Sequence, residues 1–185
     1  MDGHRFKHAV MGSMREIIFG LEDSLVSTLG AVTGIAAGAE STYIVILSGL
    51  VLIAVESTSM AAGSYLSSKS AAEAQRAIEE EEGKKVAQAT ARPLRAALVM
   101  GVCYLLAGFI PLSAYFFLPI DLAFGPSIIL TAITLFLVGA WSASISRRPL
   151  VRGGMEMIGI SLGAAVIGFV IGRAVNVFFG VNLGV

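Results

Sequence analysis

Two carboxylates, Asp23 and Glu56, stand inside stretches that are otherwise apolar, IIFGLEDSLVSTLGAVTG and YIVILSGLVLIAVESTSMAAG. A carboxylate near the centre of a bilayer costs roughly 2.5–3.5 kcal/mol on insertion scales, so an acid in such a place is functional by default. Glu56 is followed by Met60 four residues later, which stacks the two on one helical face. A carboxylate oxygen and a thioether sulfur one turn apart are a mixed hard and soft ligand pair. Such a pair suits a borderline ion such as Fe²⁺ better than Mg²⁺ or Ca²⁺, which take oxygen alone. On a helical wheel, Ser27, Gly30 and Gly34 fall within about 40° of Asp23, and Glu16 lies on the same side. A carboxylate, a hydroxyl and a GxxxG stripe, extended by Gly38, therefore share a face. Small residues let helices approach closely in lipid, so this face marks a place where two helices meet, in two copies of the chain or in one. The metal candidates are Asp23, Glu56 and Met60, with Glu22 and Ser27 as secondary ones. Glu79 and Glu82, in the run EEEE, would attract cations weakly; a solvated helical linker is the plainer account of that run.

Elements that position these residues must be membrane helices. The 185-residue chain is 56% hydrophobic and 14% charged, with a mean hydropathy of +0.82; soluble domains carry about 25% charged residues. Spans of about 20 apolar residues are expected at 17–39, 43–67, 94–118, 127–146 and 155–179, an all-α integral membrane protein with five transmembrane helices. Lys and Arg gather before the first span, between the second and third, and between the fourth and fifth. The positive-inside rule then puts the N-terminus in the cytoplasm and the C-terminus outside. The organisation expected is an N-terminal amphipathic segment over 1–16, two helices over 17–67 that carry the ion path, a short cytoplasmic helical linker over 68–92 broken at Gly83, and three helices over 93–185. No signal peptide is expected, because the first residues lack an apolar core with a small-residue cleavage site.

Other signals are weaker. His4 and His8 have a spacing that can hold a metal, though interfacial polar residues are the commoner case. Tyr104, Tyr115 and Trp141 are expected to pack or to anchor at the interface. Cys103 is a small packing residue. A formal net charge of zero argues against nucleic acid. The chain has no phosphate-binding loop, nucleophile triad or HExxH pattern, so no enzyme and no catalytic residue is expected.

REIIFGLEDSLVSTLGAVTGIAAG followed by SMAAGSYLSSKS, and then RPLRAALVMGVCYLLAGFIPL, resembles the vacuolar iron transporter family, which includes the yeast calcium-cross-complementer and nodulin-like proteins. The resemblance implies a five-helix homodimer, joined through the first helix, that moves Fe²⁺, and often Mn²⁺, out of the cytosol against protons, with the path at the dimer interface lined by the first two helices. It puts the family's aspartate on Asp23 and the methionine of its SM motif on Met60. The glutamate that plant members carry two turns before that methionine is here Leu52, and the glycine one turn before it is here Glu56: the acid is displaced by a turn. The family's glutamate-rich cytosolic domain is also missing, because 68–92 is too short for it.

The function expected is a secondary exporter of divalent transition metal. Its partners are the metal ion, protons, the lipid bilayer and a second copy of the chain, with no permanently bound cofactor. A minimal architecture without organelle targeting points to a prokaryotic plasma membrane. Rival expectations are a membrane scaffold or metal sensor that carries no flux, and a transporter of another substrate through the same cleft.

Overall fold

A computed structural model describes residues 13–39, 41–82 and 92–179. Among these there are five α-helices and no strand: α1 (Met14–Ala39), α2 (Thr42–Glu81), α3 (Pro93–Phe117), α4 (Ile120–Ile145) and α5 (Leu150–Phe179). Each is long and apolar enough to cross a membrane. Lipid offers the backbone no hydrogen bonds, so each segment satisfies its own amides as a helix. Connections are short, so successive helices run antiparallel and α1 and α5 are parallel. The expectations at His4, His8, the amphipathic segment and Gly83 lie outside the described residues.

Three boundaries differ from the expected ones. The helix α2 does not stop near Ser67 but continues to Glu81. Its 40 residues span about 60 Å, twice the ~30 Å hydrocarbon core, and SSKSAAEAQRAIEEE is made almost wholly of residues that tolerate or favour helix. The helix α4 begins at Ile120, seven residues before the expected start, and carries Pro126 inside it. Pro119 at its N-cap and Asp121 in its first turn start it well. Near a helix start, the amide that Pro126 lacks removes only one early bond. The helix α5 begins at Leu150, directly after Pro149, rather than beyond the Gly153–Gly154 pair that reads as a loop.

The turn from α4 to α5 is a Schellman motif: Arg148 N–H bonds to Ala143 O at 2.9 Å and Arg147 N–H to Ser144 O at 3.3 Å. Arg147 holds the left-handed position with φ 54°, where glycine is usual. The motif delivers Arg148 to Glu156, which accepts from Arg148 Nη2 at 2.8 and 3.1 Å and from Arg152 Nε at 3.1 Å.

Two clusters form the core. Val32, Val45, Ile53, Leu112 and Tyr115 join α1, α2 and α3 toward the α1–α2 connection. Leu25, Ala107, Leu135, Val138 and Met157 join α1, α3, α4 and α5 toward the other end. Both clusters draw on α1, which is the central helix of the bundle.

Candidate functional site

The α1–α2 hairpin sets the depth of the acids. Asp23 lies about 24 Å along α1 from Ala39, and Glu56 about 21 Å along α2 from Thr42, at 1.5 Å per residue. The two half-buried carboxylates are thus at nearly the same level, and they lie within electrostatic range of each other. Both also act on the hydroxyl of Tyr104.

Tyr104, fully buried on α3, organises this level. Its hydroxyl and Ser27 Oγ are hydrogen-bonded at 2.7 Å. Ser24 Oγ donates to the Tyr104 carbonyl at 2.6 Å. Gly108, one turn on, leaves the space that Ser24 Oγ and Ile53 fill, a Cβ there coming within 3.0 Å of the hydroxyl and 2.7 Å of Ile53. Two serines of α1 are therefore committed to α3, and Asp23 is left to face Glu56. Tyr104 was expected only to pack or anchor. The signal that finds it is the buried stripe Met100, Tyr104, Gly108, Leu112 and Tyr115, spaced every third or fourth residue along α3.

Below the acids a cavity of about 520 Å³ opens between α1, α2 and α3, lined by Met60, Met100, Glu16 and several serines. Met60 is one turn from Glu56, and Glu16 two turns from Asp23. The cavity lies toward the end that carries the basic residues of the described chain, all except Arg173. Asp23 and Glu56 are thus within electrostatic range of each other, and Met60, one turn from Glu56, lines the cavity.

The secondary candidates scatter. Ser27 joins the site through Tyr104. Glu22, the neighbour of Asp23, turns away from Glu56 and lines a separate cavity of about 190 Å³ with Ser142, Arg148, Glu156 and Met157. Glu79 and Glu82 lie at the far tip of α2, about 35 Å along the helix from Glu56, where Glu79 accepts from Gln75 Nε2 at 2.9 Å. Among the described residues, no group of three or more His, Cys, Asp or Glu side chains is placed to hold a metal ion. One chain offers two carboxylates and a thioether.

The glycine stripe has a different employer. Gly30, Gly34 and Gly38 pack on Ala164, Gly168 and Gly172 of α5 in the same chain, rung by rung. A Cβ at Gly34 would stand 2.6 Å from Gly168 O, and one at Gly168 or Gly172 would collide with the carbonyl of Gly30 or Gly34. Asn176 occupies the next rung and donates Nδ2–H to Gly38 O at 2.8 Å. Of the two readings of GxxxG, contact within one chain is therefore the observed one. Alongside this seam runs an open apolar groove of about 740 Å³, which begins at Val26 and Ser27 and ends at Ala39 and Val175.

Comparison with known proteins matches the sequence profile of the VIT family to residues 14–90 and 77–173. The chain is 25% identical to vacuolar iron transporter 1 of Arabidopsis thaliana, over 95% of this chain and 92% of the relative. It is 26% identical to the vacuolar iron transporter of Centaurea cyanus, over 96% and 95%. An uncharacterised protein of Methanocaldococcus jannaschii is 25% identical, over 86% and 88%.

Proposed function

The chain belongs to the VIT family, and on that premise we propose that it is a secondary transporter that carries a divalent transition metal, Fe²⁺ first and Mn²⁺ second, across the membrane in exchange for protons. One observation carries the proposal. Two carboxylates from different helices share one level inside a membrane bundle, and a thioether one turn from Glu56 lines a cavity at the basic end. Uncompensated, two acids facing each other in this setting destabilise the fold. A dication relieves both charges at once, and protons do the same when it leaves. That alternation is the physical basis of exchange.

The basic end is cytoplasmic by the positive-inside rule, which makes the direction export and leaves the C-terminus outside. A prokaryotic plasma membrane is the setting that the minimal architecture suggests. Asp23, Glu56 and Met60 supply three ligands, fewer than the ion's usual coordination number. A second copy of the chain supplies the rest by two-fold symmetry. The open groove that starts at Ser27, one turn above Asp23, supports an approach of that copy along α1. The glycines of the stripe stay engaged with α5 in such a dimer.

Reconstituted liposomes with an Fe²⁺- or Mn²⁺-quenched dye inside test the transport at several pH values. Metal entry accompanied by proton counterflow is the expected result. Asp23→Ala and Glu56→Ala variants that transport as well as wild type would sink the site assignment. Flux without counterflow would remove the coupling alone. Saturable binding with no flux would point instead to a metal sensor.

A further inference from the structure

Met100, on α3, stands outside the Asp23, Glu56 and Met60 set, yet it shares the cavity at the basic end with Met60. Its position is fixed by α1. A Cβ at Gly20 would come within 3.0 Å of Met100 O and 3.3 Å of Met100 Sδ, so the bare backbone of Gly20 is what lets the thioether lie against α1. Only 6% of Met100 is exposed, in a helix whose Leu98, Val102 and Leu105 face outward. The two methionines thus come to one chamber from different walls, Met60 from α2 and Met100 from α3.

The charges around this chamber cancel. Glu16 and Arg15 both line it, one of each sign. A hard dication gains one carboxylate there and meets a guanidinium, so the chamber does not concentrate Mg²⁺ or Ca²⁺ by charge. Two uncharged sulfurs act differently. They favour a softer cation over a hard one whatever the local potential, while the hydroxyls of Ser59 and Ser64 offer oxygen to complete its shell. Methionine often serves as a flexible gap filler between helices. Filling does not account for two thioethers on a chamber of about 520 Å³ whose remaining lining is largely serine and charge.

We propose that Met60 and Met100 form a two-thioether capture site for borderline and soft transition-metal cations at the entrance of the path, before Asp23 and Glu56. The proposal rests on metal transport as the function and adds to it a filter that selects by softness. Protein in lipid nanodiscs is loaded anaerobically with sub-stoichiometric Fe²⁺ and measured by X-ray absorption at the iron edge. Sulfur in the first shell is expected. Met100→Leu, which nearly conserves volume, is expected to lose about half of that sulfur and to lower the preference for Fe²⁺ over Mg²⁺ roughly tenfold. An unchanged sulfur shell and preference in this variant overturns the proposal.

Peroxide footprinting of the wild-type chain gives a check that needs no variant. Bound Cd²⁺ should protect Met60 and Met100 from sulfoxide formation but not Met155, which is 56% exposed on α5. Equal oxidation of Met100 with and without Cd²⁺ also overturns it. The two proposals fail separately. If Asp23→Ala stops flux while Met100→Leu keeps the full sulfur shell, transport stands and the capture site falls. A sulfur shell without flux in wild type supports the capture site and removes transport.

Discussion

Where α1 meets α5, Gly30, Gly34 and Gly38 bring two backbones into contact, and Asn176 adds a side-chain bond at the outer end of the stripe. About two turns earlier on α1, toward the basic end, Ser24, Ser27 and Asp23 engage α2 and α3 through hydroxyls and a carboxylate, above an open chamber. One helix therefore has a closed half and a chemical half. Small residues on the first give up all polar chemistry for proximity. Polar residues on the second keep α2 and α3 far enough away for a cavity to persist. Within the chemical half, Glu22 and Asp23, adjacent in sequence, diverge: one joins the Arg148 and Glu156 cavity, the other is within electrostatic range of Glu56.

The division can be broken most severely in the closed half. Gly172→Val drives a side chain into the carbonyl of Gly34 and is expected to cost about 3 kcal/mol or more. It should lower the melting temperature in detergent and abolish flux by loss of fold. Asp23→Asn in the chemical half should do the reverse, leaving the melt within a few degrees of wild type while flux in liposomes falls roughly 100-fold, since partners one shell removed from a metal already cost 10–100-fold. If both variants lose stability equally, the two halves are not separate.

Smaller changes sharpen the comparison. Tyr104→Phe removes the bond to Ser27 and should cost about 0.5–1.5 kcal/mol in stability. It should also shift the pH dependence of metal flux, because this hydroxyl is within electrostatic range of both acids. Mere packing would leave that profile unmoved. Away from α1, Arg147→Gly relieves a left-handed backbone and should gain about 1 kcal/mol, read as a higher melting temperature with unchanged flux.

The spans of α1 and α3 and the acids on α1 and α2 were legible in the sequence, because hydropathy and a 3.6-residue period report on lipid and burial directly. The start of α4 was not. Gly125 and Pro126 look like loop residues, and only the bilayer's demand for internal hydrogen bonds carries the helix through them. The extension of α2 was read as a separate linker because the composition changes at Ser67, but a change of solvent does not require a break in a helix. Spacing alone put Glu56 and Met60 on one face of α2 and Asp23 on the glycine face of α1. Tyr104 and Met100 were missed because both depend on which α3 face meets α1, a tertiary fact. The partner of the glycine stripe was undecidable for the same reason. GxxxG states that a backbone will approach, and α5 of the same chain is as good a partner as a second copy.

The glycine seam also has a mechanical consequence. Its rungs repeat every four residues on both helices, about 6 Å apart. A slide of α1 along α5 by less than that spacing lifts carbonyls onto Cα atoms and is resisted along the whole seam. A slide by one full rung returns Gly30 or Gly34 to a facing glycine. The seam therefore behaves as a detent rather than a bearing: it holds α1 in discrete stops, and Asp23, two turns along the same helix from Gly30, inherits the same set of allowed heights.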